Sequence, residues 1–166
     1  MRQTSIALAV VALLAAVPVV AQLRPATLSV ADQAAAFRAA GFTLVRGKWR
    51  NCDDPGTASY GPGEIEQARD IDGDGRPDAV IVESSSFCYG DDGTGFAVVS
   101  KQASGAWRFI TRSEGVATFL PRRAARGWPD LEVGGPGFCF PVQRWNGREY
   151  APLRFQYQGK PCRPRR

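Results

Sequence analysis

From residue 78 to residue 156 the apolar positions come in short bursts, set apart by glycine, proline, asparagine and serine, and this pattern predicts strands. Asp78–Ser84 (DAVIVES), Gly95–Lys101 (GFAVVSK), Ala106–Thr111 (AWRFIT), Leu131–Val133, Phe140–Trp145 and Glu149–Gln156 are each strand-like runs, most of them rich in β-branched or aromatic residues. Gln102-Ala-Ser-Gly105 and Asn146-Gly147 read as hairpin turns between them. Upstream the period changes. Val30, Ala34, Phe37 and Ala40 form a helical stripe, Ser29 can cap it, Asp32 suits its dipole and Gly41 supplies a left-handed stop, so a helix is expected over 30–40. Phe42–Trp49 alternates, with Gly47 marking a turn, and 51–63 is a loop punctuated by Gly and Pro and held by Cys52. The expected fold is mainly β (α+β): one short N-terminal helix on a twisted antiparallel sheet or small sandwich. Its core should hold Phe37, Val80, Val82, Val98, Phe109 and Val133.

A faint internal echo runs through the strands. Pro77-Asp78-Ala-Val80, then Phe87-Cys88 and a hairpin, is matched by Pro129-Asp130-Leu-Glu-Val133, then Phe138-Cys139 and a hairpin. Chance competes evenly with two stacked units, and two copies are too few for a propeller or solenoid.

The extreme N-terminus has another pattern. Arg2 precedes the apolar run Ile6–Val20, and Val19-Val20-Ala21 places small residues where a signal peptidase needs them. The run is short for a membrane span, and Pro18 interrupts it. The first cysteine, Cys52, is too distant for a lipid anchor. The expectation is a signal peptide at 1–21, an extended leader at 22–28, and a single domain at 29–166 with a basic tail at 160–166. No transmembrane segment is expected after cleavage.

That reading makes the protein periplasmic or secreted, where an even number of cysteines pairs. Cys52, Cys88, Cys139 and Cys162 allow three connectivities, and 52–88 with 139–162 is favoured because each pair brackets one half of the domain. No C-x-x-C pair exists, which argues against zinc and redox catalysis. The chain has no histidine, so Ser-His-Asp, Cys-His and His-ligated metal chemistry are excluded. The formal charge of +5 falls to about +4 when Arg2 leaves. Its basic clusters, Arg122-Arg123-x-x-Arg126 and the tail, read as solvated segments, and no nucleic-acid partner is expected of an exported chain.

One loop carries clear chemistry. Asp70-Ile-Asp72-Gly-Asp74-Gly-Arg76-Pro-Asp78 sets carboxylates at positions 1, 3, 5 and 9, with the Arg76 carbonyl at position 7. Oxygen donors at that spacing wrap a hard cation, and crowded carboxylates repel one another without one. The expected metal set is Asp70, Asp72, Asp74, Arg76 and Asp78, and the expected ion is Ca²⁺. The nine residues resemble the D-x-D-G-D-G-x-x-D calcium loop of EF-hands, dockerin modules and FG-GAP-type β-repeats. Pro77 stands where an EF-hand has an apolar residue and Ile81 where it has a bidentate Glu, and Ala-Val-Ile-Val follows instead of a helix. The β-type FG-GAP loop is therefore the nearer likeness.

Weaker signals have plainer readings. Asp91-Asp92-Gly93 is a turn before it is half of a carboxylate pair with Glu83, and Gly134-Gly-Pro-Gly137 is a turn lacking the features of a phosphate loop. Trp49, Trp107, Trp128 and Trp145 should be mostly core, with Trp128 the one expected at the surface. The leading expectation is a non-enzymatic exported module with one structural calcium, whose partner is an envelope polymer or a protein. The alternatives are a small hydrolase working through Glu83 and Asp91, and a purely structural envelope or stress protein.

Overall fold

The computed structural model describes residues 27–121 and 127–164. The signal at 1–21, most of the leader, Arg122, Arg123, Arg126 and the last two residues of the basic tail lie outside the described residues. No helix among the described residues is long and apolar enough to cross a membrane.

The chain opens with helix α1 (Val30–Ala39) and the hairpin β1 (Thr43–Val45) and β2 (Lys48–Arg50). Ser29 caps α1 by accepting from the Asp32 amide, and Gly41 ends it at φ 84°. β3 (Gly61–Arg69), β4 (Asp78–Ser84), β5 (Thr94–Lys101) and β6 (Trp107–Glu114) then form an antiparallel four-stranded sheet in chain order. Helix α2 (Ser86–Tyr89) and a 3-10 turn (Gly90–Asp92) fill the β4–β5 connection. β7 (Val116–Phe119), β8 (Leu131–Gly134), β9 (Phe140–Trp145), β10 (Tyr150–Tyr157) and β11 (Lys160–Pro161) make a second antiparallel sheet, again in chain order. The protein is thus mostly β, with antiparallel sheets. Its disulfides pair Cys52 with Cys88 and Cys139 with Cys162.

The unbroken apolar runs of β4 and β5 follow from burial on both faces. Ala79, Ile81, Ala97 and Val99 pack under α1 with Ala36, Phe37, Ala40 and Phe42. Their neighbours Val80, Phe96 and Val98 pack with Ile110, Ala117, Leu131 and Val133, joining the two sheets. Asp32 pins α1 to the β5–β6 hairpin through the Lys101 ammonium, 2.7 Å away, and the Trp107 indole N–H. Between β6 and β7 a single residue, Gly115, carries the chain from one sheet to the other. Its φ is 97°, and a Cβ there would lie 2.1 Å from the Gly134 carbonyl, so only glycine fits.

Two apolar positions depart from expectation. Val30 is exposed, because the buried stripe of α1 runs through Ala36, Phe37 and Ala40 instead. Phe109 is 42% exposed, whereas Ile110 is buried. A bulge between Val98 and Val99 of β5 skips Ile110 in the pairing and turns it into the core. Phe109 is left on the rim of edge strand β6, beneath the Arg112 guanidinium at 5.2 Å. Phe109→Thr should therefore change stability by no more than about 1 kcal/mol, whereas truncating a buried Phe costs about 3–5 kcal/mol. Urea unfolding of the variant is the measurement, and a loss of the larger size would return Phe109 to the core.

Candidate functional site

The β3–β4 connection folds the acidic loop back on itself. Asp70 Oδ1 accepts from the amides of Gly73 and Asp74, and its Oδ2 from Gly75. Asp72 accepts from the Asp74 amide. Gly73 and Gly75 have φ of 80° and 87°, the left-handed conformations that let successive amides turn inward. Asp78 begins β4 and reaches back, its Oδ2 accepting from the Ile71 amide at 2.7 Å and the Asp72 amide at 3.2 Å.

The result is a convergence of three carboxylates. One oxygen each from Asp70, Asp72 and Asp78 lies within 4.8 Å of the others, a set that can hold a metal ion. Asp74 faces another way, paired with the Arg76 guanidinium, and Arg76 also donates to the Lys101 carbonyl. Asp78 is fully buried, yet its Oδ1 has no hydrogen-bond partner. Burial pushes its carboxyl up to about 6, against the pull of Ser100 and the two loop amides and with the Asp72 charge adding to the rise. Burial and the charges of Asp74 and Asp70 raise Asp72 as well. The second sheet closes over this loop. Gly127 donates its amide to the Asp72 carbonyl, and Tyr150, whose hydroxyl donates to the Pro129 carbonyl, is raised by burial and by the charges of Asp130, Asp78 and Asp72.

Asp130 stands at the head of β8 as Asp78 stands at the head of β4, and it too is buried. Its charge is answered by protein. Arg144 grips both its oxygens, at 2.8 and 3.0 Å, and Arg154 adds a contact at 3.5 Å.

Two further buried carboxylates are structural hubs that sequence reasoning did not single out as such. Glu83 Oε1 accepts from the Asn51 amide and the Tyr60 hydroxyl, and Oε2 from the Cys52 amide and the Tyr89 hydroxyl. With every donor aimed at it from the protein, Glu83 has no face left for a substrate, and Asp91 lies exposed on the 3-10 turn. Asp54 accepts from the amides of Gly56 and Thr57 and from the hydroxyls of Thr57 and Ser85. Its sequence signal was an acidic residue two and three places before Gly56 and Thr57, the spacing of a side chain that caps its own turn.

Burial alone would raise Asp54, but those hydrogen bonds outweigh it and hold the carboxyl below its ordinary 3.8. A depressed folded-state value means the stabilisation is complete above about pH 4 and is lost as pH falls through the folded value. Acid titration of stability should therefore be steeper below pH 4 for wild type than for Asp54→Asn; parallel curves would remove Asp54 from the acid response.

The four tryptophans pack inward or edge-on. Trp49 stacks on Phe37, Trp107 lies against the α1 core, and Trp128, half-buried, meets Phe119, Trp145 and Tyr150 at the rim of the second core. No family model, curated protein or solved structure matches the chain.

Proposed function

We propose that the protein is an exported, calcium-stabilised β module that acts by binding rather than by catalysis. The observation that carries the metal is the buried, unpartnered Asp78 oxygen beside Asp70 and Asp72. A buried carboxylate oxygen left without a partner costs free energy unless a cation meets it. Asp130, in the matching position, has its cation in Arg144. Asp78 has no such neighbour among the described residues. Oxygen-only donors in a glycine-bearing loop suit calcium, with the Arg76 carbonyl and Asp74, swung from its pairing with Arg76, as further ligands.

The likeness of the loop to FG-GAP repeats agrees with the strand that follows it. Export rests on the N-terminal reading, and the two disulfides are compatible with an oxidising compartment. Two sheets sharing an apolar layer favour the small-sandwich description over a single sheet. An envelope polymer or a protein remains the proposed partner. The hydrolase alternative loses support because Glu83 is wholly engaged within the protein. Calorimetric titration of the purified protein with calcium tests the proposal: one saturating site is expected, and the absence of any heat of binding or change in melting would overturn it.

A further inference from the structure

A cavity of about 420 Å³ opens on the α1 side of the four-stranded sheet, beyond the end of the helix. The buried residues Gly95 and Ala97 of β5 lie at its back, and Phe42 and Tyr89 stand on its walls. Its β5 residues Gly95–Ala97 pair with Ile81–Glu83 of β4, three to five residues along that strand from Asp78, which is about 10–17 Å at a strand's rise per residue, and it shares no lining residue with the acidic loop. It is therefore independent of the cation site.

The walls are built to stay where they are. Asn51 and Tyr89 line the cavity, and each adjoins one half of the Cys52–Cys88 disulfide. Both are also held by Glu83, which takes the Asn51 amide at 3.1 Å and the Tyr89 hydroxyl at 2.8 Å. The Tyr89 ring lies so close over Gly95 that a Cβ there would be 2.5 Å from it. This is the support that a binding site needs behind its contact residues.

Two opposite charges face the opening. Arg112 and Glu114 alternate on β6, opposite Ala97 and Gly95, so they project from the same face about 7 Å apart along the strand. The Arg112 guanidinium is fixed by the Ala40 carbonyl at 2.6 Å and by the Asn51 side-chain oxygen at 3.3 Å, while the Asn51 nitrogen donates to the Gly41 carbonyl. That leaves part of its five-donor fork unspent. The Glu114 carboxylate forms no ion pair or hydrogen bond with any described residue. The two charges do not neutralise each other, although they share one mouth.

We propose that this cavity binds a small zwitterion of the α-amino-acid type: its carboxylate on Arg112, its ammonium on Glu114, and its apolar body against Phe42 and Tyr89. A neutral sugar would leave both charges without counterparts, and a simple anion or cation would satisfy one and face repulsion from the other. The volume falls in the range of small-molecule sites, about 300–1,000 Å³.

The test titrates the oxidised protein, in calcium and in chelator, with L-phenylalanine, 3-phenylpropionate, phenethylamine and methyl glucoside. L-phenylalanine should bind saturably in both buffers and at least about tenfold more tightly than either singly charged analogue. Glu114→Gln, at an exposed position, should weaken L-phenylalanine and phenethylamine about tenfold and leave phenylpropionate unweakened. Arg112→Gln, checked for folding by its melt, should weaken L-phenylalanine and 3-phenylpropionate about tenfold and leave phenethylamine unweakened. Methyl glucoside binding as tightly as the amino acid, indifference to Glu114→Gln, or no saturation by any probe at millimolar concentration would each overturn the proposal. Binding in calcium only would make the cavity depend on the distant loop, contrary to the independence argued above.

Discussion

Millimolar calcium should raise the melting temperature of the wild-type protein by roughly 5–10 °C over chelator. An ion that binds only the native state at a hundred times its Kd adds about 2.7 kcal/mol, and each kcal/mol moves a domain of this size by about 2–4 °C or slightly more. Magnesium should do less, because a small octahedral ion gives up its waters reluctantly. Asp72→Ala should erase the calcium gain and leave the fold intact. Asp78→Asn has a sharper signature. The amide oxygen can still accept from Ile71 and Asp72, but the buried charge is gone. In chelator the variant should melt no lower than wild type, and calcium should no longer help it. A wild-type melt that is identical in chelator and calcium would leave the loop as an acidic turn with no ion.

Glu83→Ala should be among the most damaging substitutions in the chain, costing about 3–5 kcal/mol. Two backbone amides and two tyrosine hydroxyls would lose their common acceptor at a site that is 1% exposed. Glu83→Gln keeps the shape but turns an NH₂ toward two of those donors, so its cost should fall between wild type and alanine. Chemical denaturation of the three proteins with their disulfides intact is the comparison. A loss under about 1 kcal/mol for Glu83→Ala would show that the hub is dispensable, and would return Glu83 to the pool of carboxylates available for chemistry.

The strands most legible in the sequence were those whose side chains obey one simple rule. β4 and β9 have the bounds that the apolar pattern predicts, the first because it is buried on both faces, the second because a strong Asn-Gly turn follows it. The helix cap at Ser29 and the stop at Gly41 are local chemistry, readable without tertiary context. At β3 the pattern predicts a loop for the first residues and no element beyond them. β3 is an edge strand carrying Glu64, Glu66 and Gln67, and two register shifts break its alternation. β7 has four residues and exists because Gly115 lets the chain step between sheets. The same limit applies to the sites. The convergence of Asp70, Asp72 and Asp78 was foreshadowed by their spacing, because the loop makes it alone. The Glu83 hub and the Arg112–Glu114 mouth were not, because they gather residues from β2's end, α2, β5 and β6 that only the sheet brings together.

The internal echo acquires more weight from topology. Each sheet is a meander that turns through a Pro-Asp start and a Phe-Cys connection, and Asp78 and Asp130 head corresponding strands. In one half the buried carboxylate lies beside two others of like charge; in the other a guanidinium is built in. Replacing Arg144 would ask whether the second half can be returned to the first half's condition.

The cysteines pair in the order in which they occur, first with second and third with fourth, and neither loop encloses a residue of the other. For a chain threaded N-terminus first into an oxidising compartment, this is the connectivity reached by simple succession. Cys52 and Cys88 can join before Cys139 emerges, and the last pair then has no competing thiols. Folding in step with export would need an oxidant but no reshuffling, so maturation should be insensitive to loss of a disulfide isomerase and sensitive to loss of the oxidase that precedes it.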